Sequence, residues 1–400
     1  MFRLQQVLLI ACLALALSGY TWKGKGKGPR NQHQHKEPPP PYMFLAKQAL
    51  QKGDTKRAVR TLQAARTCWS KQQKACGFTY STYRSVEGVL YLSLNKNLEA
   101  ASALQDSLRL NPKDKTNWFY LGQAQFRLKH YKQAARALQR GRKVGEKIPG
   151  YFLLLARSLR LTQQLTNAAT VIQQGQTRYP KHVPLVMEEG LITIQLKQYQ
   201  DVFRVEKRLR TLSKKESLRL VLMTEEALRK DKSNLARLHF LERAQILYPN
   251  NVDIMERLAF AYAQTNNPMG AAKWFAQLSN VRPSMAFFAA QFYAQASRYR
   301  KAYLYNLLVP NPKKRISQKA RFLIEQEEFT KVVAFLKPMF VSASLSASLR
   351  YQFAYACLKT GNYKTAETSL RSLRKTRWFR QANRLLKVLG QCKKQPLACQ

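Results

Sequence analysis

The hydrophobic pattern of this chain has a ruler in it. With Lys115 as position 1, Trp118 is position 4, Leu121 position 7, Gly122 position 8, Ala134 position 20 and Leu138 position 24. The same frame set back to Ser81 puts Gly88, Tyr91, Ala100, Leu104 and Pro112 at positions 8, 11, 20, 24 and 32. Set forward to Pro149, it gives Ala156, Ala168, Ile172, Gly175 and Pro180. It holds from Val183 with Gly190 and Val202, and from Val252 with Leu258, Ala259, Tyr262, Ala271 and Phe275. The unit from Ser217 has one extra residue, with Ala236 and Phe240 in place. Three later units slip but keep small pairs at Ala290 and Ala302, Ala320 and Val332, and Ala354 and Ala366. A unit at the front carries Ala46 and Ala58, then about eight extra residues that hold Cys68 and Cys76.

Each unit predicts two antiparallel helices. Two helices approach closely only where their crossing carries almost no side chain, and positions 8 and 20 supply that. Larger residues at positions 4, 7, 11 and 24 fill the remaining space. Proline near position 32 ends the second helix or opens the next. This pattern resembles the tetratricopeptide repeat family from Pro39 to about Arg380. The resemblance implies an all-α fold, an α-solenoid of about ten helix-turn-helix units forming a right-handed superhelix with a concave groove. The stretch RWFRQANRLLKVLGQ predicts a closing helix with Leu385, Leu386 and Leu389 inward, Arg380, Arg384 and Lys387 outward, and Gly390 as its stop.

In proteins of this kind, positions 2, 5, 9, 12 and 13 of the first helix line the groove. That implies a partner-binding surface of Phe119, Gln123, Phe126, Arg157, Arg160, Phe260, Tyr351 and Tyr355, with Phe287 and Gln291 between. Aromatic residues and arginine are common hot spots, and an apolar groove suits an extended or helical peptide. Chaperone-binding members hold a C-terminal carboxylate with Lys at position 5 and Asn at position 9. Ser85 and Val89, then Phe119 and Gln123, stand there instead, so that mode is not implied.

Charge changes the picture. Lys and Arg total 69 against 22 Asp and Glu, a formal net charge of +47 in 400 residues. No acidic residue occurs from Leu258 to Ile324. Such a chain is drawn to anionic surfaces and polymers. The start reads as an address: one Arg, an apolar run from Val7 to Leu17, then Ser18 and Gly19. This predicts a signal peptide over 1–19, with a short uncleaved anchor, or a lipoprotein signal ending at Cys12, as the alternatives. Residues 20–38 form a basic, Gly- and Pro-rich linker, 39–380 the solenoid, and 381–400 a capping helix and tail.

Export makes the cysteines candidates for two small disulfide loops, Cys68 with Cys76 and Cys392 with Cys399. Cys357 falls in a helical pattern as a small hydrophobe. No metal site and no cofactor are expected, since no ligand spacing occurs, and no phosphate loop or triad pattern points to an enzyme. The expectation is an exported scaffold in the bacterial periplasm or cell envelope. It would bind protein partners there, with a pilus, motility or secretion machine as the kind of assembly that the resemblance implies. The alternative is a solenoid that holds an anionic polysaccharide, peptidoglycan, a membrane surface or, least favoured, nucleic acid. A continuous basic groove would favour the polymer, and an apolar groove the protein.

Overall fold

The computed structural model describes residues 40–72, 76–342 and 344–394. The proposed signal peptide, the whole of the linker and Cys399 lie outside the described residues. The described residues are helical, without a strand among them. They pack as two compact units, the first ending at Thr224 and the second beginning at Glu225.

The first unit contains α1 (Tyr42–Gln51) and α2 (Thr55–Gln72), α3 (Tyr80–Ser93) and α4 (Asn97–Leu110), and α5 (Lys115–Arg127) and α6 (Tyr131–Arg140). A four-residue helix α7 (Arg142–Gly145) follows, then α8 (Pro149–Leu161) and α9 (Leu165–Arg178), and α10 (Val183–Gln195) and α11 (Val202–Leu212). Helix α12 (Lys214–Lys230) begins here and ends in the second unit, where α13 (Asn234–Leu247) completes the pair. The second unit continues with α14 (Val252–Gln264) and α15 (Pro268–Ser279), α16 (Ala286–Gln295) and α17 (Tyr299–Leu307), α18 (Pro312–Glu325) and α19 (Phe329–Val341), α20 (Ala347–Lys359) and α21 (Tyr363–Arg371), and closes on α22 (Phe379–Lys394). These are the helix pairs of an α-solenoid.

The backbone carries its own ruler. One residue with positive φ follows the first helix of every pair: Gly53, Asn95, Lys129, Gln163, Lys197, Lys232, Asn266, Ser297, Glu327 and Gly361. At each turn the next amide reaches back to a carbonyl five residues earlier, as in His130 to Gln125, Ser233 to Leu228 and Asn362 to Cys357. This is the Schellman turn that ends a helix on a left-handed residue. Numbers 95, 129, 163 and 197 keep the 34-residue step. The next steps, to 232, 266, 297, 327 and 361, locate each slip. The longer step from 53 to 95 contains the disulfide between Cys68 and Cys76.

At Gly361 the left-handed φ is +75° and a Cβ would meet nothing within 4 Å. Gly361→Ala therefore isolates the backbone term and should cost about 1 kcal/mol. An unchanged thermal unfolding curve would contradict this.

Counting from the turn fixes the packing columns. Seven residues before it stand Ala46, Gly88, Gly122, Ala156, Gly190, Ala259, Ala290, Ala320 and Ala354. Five residues after it stand Ala58, Ala100, Ala134, Ala168, Val202, Ala271, Ala302, Val332 and Ala366. Every Ala and Val in these columns is 0% exposed. A Cβ added at Gly122 would lie 2.6 Å from Leu138 Cγ, and one at Gly88 2.6 Å from Leu104 Cγ. The small residue at position 8 thus makes room for the leucine at position 24.

One pair breaks the rule. Counted from Lys232, its columns hold Glu225 and Arg237, not the Thr224 and Ala236 expected from sequence. The extra residue lies before the turn, so both columns move by one. Glu225 is 0% and Arg237 4% exposed, and Arg237 Nε donates to Glu225 Oε1 at 2.6 Å. Arg257 on α14 donates to the other carboxylate oxygen. Arg237 also donates to Gln264 Oε1 at 2.6 Å. A buried ion pair occupies the crossing that small residues fill elsewhere.

The closing helix also differs from expectation. It runs through Gly390 to Lys394 instead of stopping there. Leu385, Leu389 and Cys392 continue one buried seam at helical spacing, which holds the extra turn in place. Cys392 is disulfide-bonded; its expected partner Cys399 lies outside the described residues. Cys357 is a free, fully buried thiol, pushed up to about 11 by burial, as suits an inert packing residue.

Candidate functional groove

Two cavities use the same repeat positions, one in each unit. In the first unit, Gln123 and Arg127 of α5 face Leu153 and Arg157 of α8 across about 470 Å³. These are positions 9 and 13 of one pair and 5 and 9 of the next. In the second unit the same positions are Gln291 and Gln295 of α16, and Ser317 and Arg321 of α18, across about 360 Å³. The repeat geometry brings these positions together because successive first helices lie side by side.

In the first-unit cavity the floor is apolar. The half-buried Phe126 sits edge-on to Tyr131, ring centroids 5.5 Å apart, beside Leu153 and Leu154. Each guanidinium is anchored to the protein by at least one donor. Arg157 Nε and Arg160 Nε donate to the two oxygens of Glu188, at 2.9 and 2.6 Å, and Glu188 is 0% exposed. Arg127 Nη1 donates to the Leu92 carbonyl at 2.8 Å, and burial pushes its guanidinium below its ordinary value. One carboxylate on α10 thus fixes two arginines of the neighbouring first helix, α8. The result is a rigid rim around an apolar floor.

Of the residues expected in the groove, Gln123, Phe126 and Arg157 line this cavity, and Arg160 joins it through Glu188. Phe119 does not. It is 2% exposed, with its ring 5.6 Å from Tyr120 and 6.3 Å from Tyr151. Gly141 accounts for this: a Cβ there would lie 2.6 Å from the Phe119 amide nitrogen, so the bare turn seats against Phe119 and covers it.

In the second unit Phe260 is half-buried and packs its ring on Phe275 and Phe288, at 5.1 and 5.8 Å. Tyr351 stacks on Trp378 at 5.1 Å, and Tyr355 meets Phe329 edge-on at 5.8 Å. None of the three lines the second-unit cavity; Phe287 and Gln291 do. Aromatic–aromatic packing between repeats claims rings that the position rule alone assigns to a ligand. Tyr131, Asn95 and Lys129 also line the first cavity, and the position rule does not assign them there. The left-handed turns place them there, and those turns show no residue preference that could be read in advance.

Among the described residues the histidines hold no reactive arrangement. His130 Nδ1 pairs with Gln125 Oε1 at 2.9 Å, and His182 is held below its ordinary value by burial. Among the described residues no group of His, Cys, Asp and Glu could hold a metal ion, and no helix is long and apolar enough to cross a membrane.

Residues 86–142 match the family described as tetratricopeptide repeat. No curated protein matches the sequence. Among solved structures, MamA (residue 41 to its end) from Desulfovibrio magneticus RS-1 is similar at 16% identity, covering 44% of this chain and 94% of that one with a TM-score of 0.38. YrrB, titled a TPR protein with an unusual peptide-binding site, is similar at 12% identity, covering 59% of this chain and 99% of that one with a TM-score of 0.33.

Proposed function

We propose that this chain, a tetratricopeptide-repeat protein, is an exported scaffold that holds protein partners in the cell envelope through its groove. The observation that carries the reading is the first-unit cavity: an apolar floor of Phe126, Tyr131 and Leu153 inside a rim whose arginines are fixed by Glu188. A peptide side chain entering there meets preorganised aromatic and amide surface, which is where binding energy concentrates. Arg157 and Arg160 share the Glu188 carboxylate, which offsets part of the positive charge that a polymer held by charge alone would need. Residues 1–19 support export, and the disulfide between Cys68 and Cys76 suits an oxidising compartment. Membership of a pilus, motility or secretion machine is an extension of the same reading. An anionic polymer is the second reading, favoured by the net charge of +47.

The test is cross-linked capture from the native envelope at low and high salt, with Phe126→Ala beside the wild type. We expect a discrete protein that survives high salt and is captured about tenfold less by the variant. Capture of polysaccharide alone, lost at high salt and indifferent to Phe126, would replace this reading with the second. N-terminal sequencing of the mature chain tests export, and a chain that begins at Met1 in the cytosolic fraction would refute it.

A further inference from the structure

The acid-free stretch from Leu258 to Ile324 has a destination in the fold. It supplies most of the wall of the second-unit cavity, including Phe287, Gln291, Lys313, Lys314 and Arg321. The one carboxylate on that wall, Glu325, is held by Arg321 at 2.7 Å. Arg377 completes the wall from the segment between α21 and α22, a segment that also lacks acids. With Lys313, Lys314, Arg321 and Arg377 against Glu325, the wall carries four positive charges and one negative, a net of +3.

The contrast with the first cavity is in how the cations are held. There Arg157 and Arg160 donate to Glu188 and Arg127 to a backbone carbonyl, leaving Lys129 as the cation on that lining without a carboxylate partner among the described residues. Here Lys313, Lys314 and Arg377 have no carboxylate partner among the described residues. Lys314 Nζ lies 5.7 Å from the Phe287 ring centroid and Arg377 leans on Trp378 at 6.0 Å. Gln318, itself buried, donates to the Phe287 carbonyl at 2.8 Å and accepts from Asn306 at 3.0 Å, which fixes the helix that carries the aromatic wall. A low-dielectric concavity lined by cations of one sign focuses potential on an incoming anion. Folded without a ligand, these cations repel each other, and carboxylates would relieve that repulsion.

We propose that the second-unit cavity binds an acidic peptide segment, with carboxylates at Lys313, Lys314 and Arg377 and an apolar or aromatic side chain against Phe287. The charge selects the partner, and the ring and the two glutamines, Gln291 and Gln295, favour a polypeptide over a charge-only polymer. The proposal concerns a cavity separate from the one that carries the scaffold reading, so the two stand or fall independently.

A random twelve-residue peptide display library, selected on the whole immobilised chain, tests it. The selections run in parallel on wild type, Lys313→Glu/Lys314→Glu, Phe287→Ala and Phe126→Ala, each first checked for native helical content. We expect peptides rich in Asp and Glu beside an aromatic residue from wild type and from Phe126→Ala. Representative peptides should bind the lysine variant at least about tenfold more weakly and lose affinity as salt rises. A selection without acidic enrichment, or enrichment untouched by the lysine variant, would overturn the proposal. So would capture of alginate or a single-stranded oligonucleotide that the lysine variant abolishes and Phe287→Ala leaves intact, since that defines a polyanion surface. If only Phe126→Ala loses its peptides, the scaffold reading stands and this one fails.

Discussion

Glu225→Leu is expected to lower the stability of the second unit by about 3–5 kcal/mol, because it leaves the Arg237 guanidinium buried without its carboxylate. Arg237 is 4% exposed, so it cannot swing into water without opening the crossing between α12 and α13. Gln264 remains as a neutral acceptor and recovers little of the lost interaction. Arg257 is 37% exposed at its side chain and can be solvated, so it adds less to the loss. The double variant Glu225→Leu/Arg237→Met should recover most of the stability, because a buried pair replaced by apolar residues of similar size is often neutral or better. Hydrogen exchange in α13 and α14 reads the effect locally, where a global melt of a repeat chain need not be two-state. A Glu225→Leu protein with wild-type protection in those helices would show that the ion pair does not hold the crossing.

The same pair marks the limit of what the sequence disclosed. Small residues at positions 8 and 20 were legible because the rule behind them is steric, and each Ala or Val that keeps it is sealed from solvent. An inserted residue is different. Sequence shows that the unit from Ser217 is one residue too long, yet the insertion fits equally before or after the turn. Placed after, it leaves Thr224 and Ala236 in the columns. The backbone places it before, and a salt bridge takes their place. Periodicity of small residues cannot see this, because the substitute is neither small nor apolar.

Cavity-lining positions follow from the repeat; their occupants do not. Positions 5, 9 and 13 do build both cavities. Whether a given aromatic residue faces the ligand depends on the neighbouring repeat, as Phe260, Tyr351 and Tyr355 show by packing on other rings. Arg377 was invisible as a groove residue because it belongs to no repeat position; it reaches the cavity from the segment before α22. The acid-free stretch was visible, but its meaning depended on which of its side chains share one wall.

Phe119→Ala should cost about 3–5 kcal/mol of stability in the first unit, the range for removing a large ring from a closed site. The loss includes the cavity left behind, since the backbone at Gly141 seats directly against Phe119 and α8 presents Tyr151 from the other side. Those surfaces are held by their own helices and cannot all collapse into the space. Phe126→Ala is the matched control: its ring is half-buried on the cavity floor, so stability should fall by only about 1 kcal/mol while groove binding falls. The two variants therefore separate folding from function at positions about two turns apart on one helix. Hydrogen exchange over α5 and α8 should report the Phe119 loss, and peptide capture the Phe126 loss. A Phe119→Ala protein with intact exchange protection and lost partner binding would return Phe119 to the groove, and the packing against Gly141 would then not be what positions that ring.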